Sequence, residues 1–305
     1  MTEFHFIERA CPVCGTSDNS TVFAEERFDP TRLDGMSFSS RKPPEGMHYR
    51  LLECGLCDVL YANPLPAAAD LTAAYEGADY DSGREAQFAA ETYARALSRI
   101  EPTLTSRRCA VDIGAGDGAF VERLLEAGFE EVIGFEPSTA AVAFATPETR
   151  RHIRSHVFDG SDLAPRSASL VSCLQTIEHL PDPLGVCRDA ATLLEPGGAL
   201  LIVCHNRRSM SARLMGRRSP IYDIEHLQLF SPAAIRELLT RAGFERVAVQ
   251  TLVNRYPLDY WLRLAPGTQR LKGVAQGTLT HLRLGSTPLS FPAGNLVAVG
   301  YQPAA

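Results

Sequence analysis

The sequence predicts an α/β fold preceded by a small module that a metal ion holds together, and three features indicate this. An apolar run at 109–113 is followed by glycines at 114, 116 and 118 and then by apolar residues at helical spacing, a pattern typical of strand, tight turn and helix. A second apolar run, 132–135, ends in Glu136. Nearer the N-terminus lie two Cys-x-x-Cys pairs. We therefore expect a core of sheet and helices with a cysteine-rich appendage.

Composition limits the class of protein. The chain has 305 residues, of which 45% are hydrophobic, and a formal net charge of −6. That length supports one substantial core and a small appendage. The start lacks the basic and apolar pattern of a signal peptide, and no stretch approaches the ~20 apolar residues that span a bilayer, so we expect a cytoplasmic protein. The acidic balance argues against a dedicated nucleic-acid binder, which usually carries a basic surface.

The eight cysteines fall into two groups. Cys11, Cys14, Cys54 and Cys57 form the two pairs, and in a reducing compartment four thiolates at this spacing predict a tetrahedral zinc site. Disulfides or chance pairs are the alternative, but the Pro-, Gly- and Ser-rich segment between them cannot build a core without a staple. The expected zinc contributes folding energy and no chemistry. The cysteines at 109, 173, 187 and 204 are expected to be small core residues.

The turn after the first core strand is the candidate cofactor site. Its glycines remove Cβ atoms that would keep a ligand off the backbone, and the next helix begins with unpaired N–H groups. Gly114, Gly116 and Ala119 also satisfy the loose dinucleotide pattern Gly-x-Gly-x-x-Gly/Ala. Asp112 favours a different ligand, because a carboxylate suits an amino group and a sulfonium better than a phosphate. Glu136 can accept ribose hydroxyls with either cofactor.

The remaining elements follow from apolar runs and from their stop signals. Ser231 with Pro232 is an N-cap followed by proline at the first helical position, and Gly243 ends that helix. In chain order the sequence predicts a short strand with a proline stop at 58–66, helices at 71–75 and 85–100, strands at 152–158 and 168–174, a helix at 184–194, a strand at 199–204, a helix at 233–241, and strands at 247–253 and 296–301.

Two further motifs lead to a family. They are Glu-His-Leu-Pro-Asp-Pro at 178–183 and Leu-Leu-Glu-Pro-Gly-Gly-Ala-Leu at 193–200. With 109–120 and Glu136, this series resembles the class I S-adenosylmethionine-dependent methyltransferases. The resemblance implies a Rossmann-like, seven-stranded sheet finished by an antiparallel hairpin. It implies that S-adenosylmethionine is held by Asp112, Gly114, Ala115, Gly116, Glu136, Pro137, Asp159, Gly160, Ser161, Asp162, Gln175 and His179.

Within that set, two roles follow from the resemblance. The loop at 159–162 is expected to hold the adenine, with the contact made by Asp159, Ser161 or Asp162. Gln175 lies where the fourth strand opens onto the crevice in which open α/β sheets bind ligands. His179 is expected to pack beneath the cofactor, because in the resembling family it does so more often than it transfers a proton.

The N-terminal part adds a narrower resemblance. We divide the chain into a zinc-ribbon-like module at 1–66, a helical lead-in or lid at 67–105 and a methyltransferase domain at 106–305. This arrangement resembles a bacterial subgroup that includes the sugar C-methyltransferases of antibiotic biosynthesis. In that subgroup the lead-in helices help cover the cofactor, which makes Tyr75 and Tyr80 candidate lid contacts. Aromatic residues that merely pack helices together are the alternative.

The segment at 222–226 is the candidate catalytic group. Tyr222, Glu225 and His226 resemble the catalytic Tyr, Glu and His of the sugar C-methyltransferases. A histidine with an unperturbed pKa near ~6.5 can take a proton at neutral pH, and Glu225 or Tyr222 would hold its tautomer. His226 is therefore the candidate base, with a purely structural role as the alternative.

Five arginines follow the fifth strand, where a loop should reach the mouth of the site. Guanidinium groups bind phosphate bidentately, so the loop is expected to clamp an anionic acceptor group such as a diphosphate. A solvated surface helix or docking on an anionic membrane face are the alternatives. The residues are Arg207, Arg208, Arg213, Arg217 and Arg218.

The function implied by the resemblance is methyl transfer from S-adenosylmethionine to carbon or oxygen of a small molecule, such as a sugar nucleotide or another glycan or secondary-metabolite precursor. A zinc-ribbon ribosomal RNA methyltransferase and a non-catalytic, cofactor-binding scaffold are the alternatives. The insertion at 254–292 holds the only tryptophan, Trp261, and predicts a pocket wall, a dimer contact or an interfacial membrane helix. We expect a monomer or a homodimer.

Overall fold

The computed structural model describes residues 4–39, 46–80, 83–264, 269–282 and 284–304. Part of the expected module, at 1–3 and 40–45, and part of the insertion, at 265–268 and 283, lie outside them. The strands are β1 Phe6–Ile7, β2 Ser20–Ala24, β3 Leu51–Cys54, β4 Leu60–Ala62, β5 Leu65–Pro66, β6 Cys109–Ile113, β7 Glu131–Phe135, β8 Ile153–Arg154, β9 Ala168–Leu174, β10 Leu194–His205, β11 Gln228–Leu229, β12 Glu245–Pro257 and β13 Pro288–Tyr301. The α-helices are α1 Ala68–Glu76, α2 Gly83–Ile100, α3 Ala119–Glu126, α4 Thr139–Phe144, α5 Pro147–Arg150, α6 Pro183–Leu193, α7 Met210–Met215, α8 Pro232–Arg241, α9 Leu258–Leu264 and α10 Gln269–His281.

The main sheet has seven strands in the described part of the chain, in the order β12-β13-β10-β9-β6-β7-β8. Strands β8, β7, β6, β9 and β10 are parallel, whereas β13 is antiparallel to both of its neighbours. Parallel neighbours require crossover connections, which the helices supply. This topology confirms the expected Rossmann-like, seven-stranded sheet with an antiparallel hairpin at one edge.

Helices cover both faces of the sheet, and the strand pleat divides the core accordingly. Along β6, Cys109 and Val111 pack into a cluster with residues of α6 and α8. Ala110, between them, packs into a second cluster with residues of α2 and α3. This alternation is the period of two expected for a strand buried on both sides. The cysteines at 109, 173, 187 and 204 are all buried, as expected.

Four strands of the main sheet differ from the sequence-based expectation. The third core strand is only Ile153–Arg154, because the chain leaves the sheet after Arg154, where the His156 N–H bonds back to the Arg154 carbonyl. Strand β10 begins at Leu194, so the Pro-Gly-Gly sequence expected to form a turn lies within the strand. The pairing register with β9 shifts between Leu194 and Ala199. The final hairpin is much longer than expected on both strands, so it extends past the sheet.

The cysteine-rich module is joined to the main domain by hydrogen bonds. Its small sheet has the order β11-β4-β3-β2, and β11 comes from the chain just after His226. The Arg9 side chain donates to the carbonyls of Ala62, Pro181 and Leu227 and to Gln228 Oε1. The module therefore shares a sheet with the domain it precedes. In the described ranges, no helix combines the length and apolarity that a membrane crossing requires.

Candidate active site

A cavity of about 660 Å³ opens at the carboxyl ends of β6, β7, β9 and β10. This edge is where open α/β sheets bind ligands. Residues of α1 and α2 close it from above, and the ends of β12 and β13 form its far wall. Its described lining contains seven aspartates and glutamates and neither lysine nor arginine. The cavity is therefore suited to a positively charged ligand.

The glycine turn forms the floor of the cavity near β6. Gly114 has a φ of +79°, and a Cβ there would lie 2.2 Å from Thr176 Oγ1, so only glycine fits. Gly116 has a φ of +56°, and its N–H donates to Glu136 Oε2 at 2.8 Å. The turn thus brings bare backbone against the carboxylate at the end of β7. A ligand can approach the peptide edge here without meeting a side chain.

Two carboxyl groups flank this turn, and burial sets their protonation. Asp112 is 2% exposed and its Oδ1 accepts a hydrogen bond from Ser172 Oγ at 2.6 Å. Burial raises the pKa of Asp112 to about 7, against the effect of that hydrogen bond. Burial also raises the pKa of Glu136, whose oxygens accept the N–H groups of Ser138 and Gly116. A bound cation would favour the ionised form of both groups.

Gln175 follows β9 in a left-handed conformation, with a φ of +56° that is uncommon for residues other than glycine. Its Nε2 is buried and has no hydrogen-bond partner in the described part of the chain. Such backbone strain is found preferentially at functional sites, where it aims a side chain. Gln175 lines the cavity and offers a donor to a ligand there.

Most of the residues expected to hold the cofactor line this cavity, but one loop does not. Asp112, Gly114, Ala115, Gly116, Glu136, Pro137, Gln175 and His179 all line it. Asp159, Gly160, Ser161 and Asp162 do not, because the Asp159 carboxylate turns back onto Ser161, accepting its N–H at 2.8 Å and its hydroxyl at 2.7 Å. Val157 and Phe158 line this edge instead. The adjacent apolar residues Val157 and Phe158 could have indicated a surface for the cofactor. Both of them instead fall within the strand predicted at 152–158.

Three histidines meet at the opposite end of the cavity. The rings of His179 and His205 each lie 5.0 Å from that of His226. His226 Nδ1 is 2.8 Å from the Ile221 carbonyl, and its Nε2 is 3.8 Å from Glu225 Oε1. His226 and Glu225, expected together, are thus together at the cavity.

Tyr222, the third member of the expected catalytic group, is placed elsewhere. Its ring packs against Phe23 of the N-terminal module, with 5.6 Å between centroids, and it does not line the cavity. The Tyr222 side chain therefore packs on the N-terminal module and not at the histidine end of the cavity. We therefore remove Tyr222 from the catalytic set.

The two lead-in tyrosines line the cavity and also contact residues outside the lead-in segment. The Tyr75 hydroxyl is 3.1 Å from His179 Nδ1 and 3.4 Å from the Glu225 carbonyl. The Tyr80 ring packs against Phe144 with 5.2 Å between centroids. Tyr75 therefore lies at the histidine end of the cavity, whereas Tyr80 lies over the glycine turn near Gly116.

Several residues at this end could not be found from local sequence. His205 Nδ1 is 2.9 Å from Asn295 Oδ1, and burial lowers the pKa of His205, which favours a neutral ring. Asn295 in turn contacts Asn254. These residues meet only because β13 pairs with both β10 and β12. The extended hairpin also brings Tyr256, Tyr260 and Trp261 of the insertion to the cavity wall.

The five arginines differ from their expected role, because none lines the cavity. Arg207 and Arg208 form ion pairs with Glu53 and Asp58, which flank the second cysteine pair. The Arg207 side chain is only 3% exposed. Arg217 lies over the Phe23 ring and donates to its carbonyl. These three side chains fasten the module to the main domain.

The four module cysteines converge as expected from their spacing. Cys11 Sγ lies 3.4 Å from Cys57 Sγ, and Cys14 Sγ lies 3.6 Å from Cys54 Sγ, with no disulfide formed. A tetrahedron with Zn–S bonds near 2.3 Å has S···S edges of about 3.8 Å. The four sulfur atoms lie within 4.8 Å of one another, so the set fits a tetrahedral metal ion.

Comparison with known proteins agrees with this geometry. A methyltransferase domain family matches residues 84–249. The "Ubiquinone biosynthesis O-methyltransferase" of Aliivibrio fischeri strain MJ11 is 25% identical over 154 residues, which are 47% of this chain and 66% of that protein. Its counterpart from Xanthomonas campestris pv. campestris strain B100 is 34% identical over 102 residues, 32% of this chain and 43% of that protein. The chain thus spans less than two thirds of the length of these relatives.

Among solved structures, a SAM-dependent methyltransferase from Archaeoglobus fulgidus aligns with a TM-score of 0.46 at 19% identity, covering 70% of this chain and 94% of that one. The domain match is decisive, because it covers more than half of the sequence and includes the glycine turn, Glu136 and the histidine cluster. The chain belongs to the methyltransferase domain family.

Proposed function

We propose that the protein transfers a methyl group from S-adenosylmethionine to a hydroxyl group of a small molecule. The observation that carries this proposal is the glycine turn beside buried Asp112, in a cavity whose described lining has seven carboxyl groups and neither lysine nor arginine. Those charges attract a sulfonium and an amino group. They would repel the pyrophosphate of a dinucleotide, which is the competing cofactor for such a turn.

The residues present fit S-adenosylmethionine, which when bound supplies an electrophilic methyl group on a positively charged sulfur. Asp112 would accept hydrogen bonds from the amino group, and Glu136 would accept those of the ribose hydroxyls. Val157 and Phe158 offer an apolar surface for the base. Gln175 would direct its buried Nε2 donor to the ligand. Together these groups orient the cofactor and exclude water from it.

His226 is the group best placed to accept the proton of the acceptor. The Ile221 carbonyl can only accept a hydrogen bond, so His226 Nδ1 carries the proton and Nε2 has the lone pair. Glu225 Oε1, 3.8 Å from Nε2, would stabilise the imidazolium that forms. Methyl transfer requires the nucleophile to lose its proton as the new bond forms, and general-base help of this kind contributes roughly 10²–10⁴ in rate.

We propose an uncharged hydroxyl compound as the acceptor. The names of the curated relatives support oxygen as the methylated atom. A diphosphate group, as in a sugar nucleotide, has no support from the arginines, because Arg207 and Arg208 are paired with carboxylates and none of the five lines the cavity. The wall formed by Tyr256, Tyr260 and Trp261 favours an acceptor with an apolar or ring-shaped part.

Titration calorimetry tests the cofactor directly. We expect binding heat with S-adenosylmethionine and none with NAD, and the opposite result would reverse the proposal. Mass spectrometry of small-molecule pools incubated with the protein and isotopically labelled cofactor then identifies the acceptor by its gain of a labelled methyl group. Cofactor binding without methylation of any pool component would favour a scaffold.

Cofactor affinity should depend on pH through Asp112. Its pKa in the ligand-free protein is about 7, and the amino group of the cofactor pairs with the ionised form, so affinity rises as pH rises through 7. Between pH 8 and pH 6 we expect the affinity to fall about tenfold, since about one carboxyl in ten is ionised at the lower pH. Calorimetry at both values measures this. A flat profile would show that the ionisation of Asp112 is not coupled to binding.

The cysteine cluster supports a second proposal, a structural zinc ion held by Cys11, Cys14, Cys54 and Cys57. We expect elemental analysis to find zinc in the purified wild-type protein. The zinc content should be lower in Cys54→Ser and unchanged in the matched control Cys109→Ser. Because the ion supplies folding energy to the module, its loss should also lower the thermal midpoint. Wild-type protein with an intact module and no bound metal would contradict the proposal.

A further inference from the structure

A second group of metal-ligand side chains lies at the histidine end of the cavity, separate from the cysteines. One ligand atom each of Glu178, His179 and His226 lies within 4.8 Å of the others. His179 and His226 line the cavity, and Glu178 lies behind them. Two imidazoles and one carboxylate are a ligand set that suits divalent transition metals and leaves coordination positions open.

Glu178 gives the strongest indication of a cation site. It is 0% exposed, and its Oε1 accepts the His205 N–H at 3.1 Å. Its Oε2 is buried and has no hydrogen-bond partner in the described part of the chain. A buried carboxylate oxygen without a partner carries a large desolvation penalty, which a bound cation would offset.

The two histidines are held in the tautomer that a metal ion requires. His226 Nδ1 lies 2.8 Å from the Ile221 carbonyl, and His179 Nδ1 lies 3.0 Å from the Glu225 carbonyl. Carbonyl oxygens only accept, so both Nδ1 atoms carry hydrogen and both Nε2 atoms carry a lone pair. Metal-binding histidines characteristically donate their other ring N–H to such an acceptor.

The charge around the cluster agrees with a cation. Asp223 and Glu225 also line this end of the cavity, so carboxylates surround the cluster. We propose that Glu178, His179 and His226 bind a divalent transition metal ion, and that its open positions take the oxygen of the acceptor. This inference rests on methyl transfer to a hydroxyl group as the reaction.

The metal would change how the acceptor loses its proton. Bound to the ion, the acceptor O–H is more acidic, so its proton passes to a neighbouring carboxylate such as Glu225 and then to solvent. The oxygen forms a bond to the methyl carbon while the carbon–sulfur bond breaks, which yields a methyl ether and S-adenosylhomocysteine. His226 Nε2 is then a ligand and not the base, so metal content decides which of its two roles applies.

Cobalt tests the site without a known acceptor. The zinc-loaded, full-length protein is titrated with Co²⁺ and monitored by visible absorption and elemental analysis. We expect one equivalent of cobalt to bind while zinc is retained. The visible spectrum should show the weak bands of cobalt with nitrogen and oxygen ligands and lack the intense charge-transfer band of cobalt bound to thiolates. Glu178→Gln and His226→Gln should each weaken cobalt binding at least tenfold, whereas His281→Gln, an exposed histidine far along the chain, should not.

Two outcomes would overturn the inference. One is wild-type protein that takes up no cobalt beyond the zinc site. This measurement uses wild-type protein alone, so it does not depend on whether a variant folds. The other is Glu178→Gln protein that binds cobalt as tightly as wild type. Calorimetry with S-adenosylmethionine on the same samples keeps the two proposals distinct, because cofactor binding at Asp112 does not require the metal. Cobalt uptake without cofactor binding would instead contradict the proposed reaction.

Discussion

His226→Ala is expected to lower kcat for methyl transfer by about 10²–10⁴-fold, the range contributed by general-base catalysis. The substitution removes the imidazole for which we propose a role at the acceptor, either as the base or as a metal ligand. Its contacts with the cofactor end are indirect, so the Kd for S-adenosylmethionine should stay within about twofold of wild type. Single-turnover assays with labelled cofactor, combined with calorimetry, measure both quantities.

The control for this variant is His281→Ala, which removes an exposed histidine from α10. It should retain wild-type turnover. If His226→Ala also retained turnover, His226 would be a structural residue that supports the segment at 222–226. A parallel loss of cofactor affinity would indicate that the cavity had collapsed. The fall in kcat would then reflect misfolding and not the loss of a catalytic group.

Asp112→Asn should raise the Kd for S-adenosylmethionine by about 10–150-fold. The carboxylate is replaced by a neutral amide, and a hydrogen bond to a charged group contributes about 1.5–3 kcal/mol. Stability should not fall, because the pKa of Asp112 is raised by burial and the neutral side chain avoids the desolvation of the carboxylate. The amide oxygen can still accept the Ser172 hydroxyl.

Calorimetry and a thermal melt on the same preparation separate these effects. Asp18→Asn, at an exposed site that does not line the cavity, is the matched control and should bind as wild type. Wild-type affinity in Asp112→Asn would remove the central support for a positively charged cofactor. Weaker binding together with a large fall in the thermal midpoint would point to misfolding of the glycine turn.

The sheet and the placement of Asp112 and Glu136 at one edge of it could be predicted because their signals are local. An apolar strand, a glycine turn and a helix follow one another within 109–126, and Asp112 and Glu136 end neighbouring parallel strands. The carboxyl ends of such strands meet at one edge whatever the rest of the chain does. The two Cys-x-x-Cys pairs are also local patterns, and their spacing predicted that the four cysteines converge.

The acceptor end could not be predicted in this way. His205, Asn254 and Asn295 come together through pairing between strands that are far apart in sequence. Arg207 is paired with Glu53 and Asp58 across about half of the chain, and local sequence offered only its charge. Sequence likeness grouped Tyr222 with His226, but its ring packs against Phe23, a contact between residues far apart in sequence.

The pairing of β11 with β4 has a consequence for how this protein can be altered. Leu227, next to His226, donates its N–H to the Glu178 carbonyl, and its own carbonyl accepts bonds from the Ala62 N–H and the Arg9 guanidinium. A chain cut back to residue 67 would keep every residue expected to hold the cofactor and lose the partners on one side of the segment that carries His226. We expect such a truncation to disturb the histidine end of the cavity, because the cysteine-rich N-terminus supports the segment that carries His226.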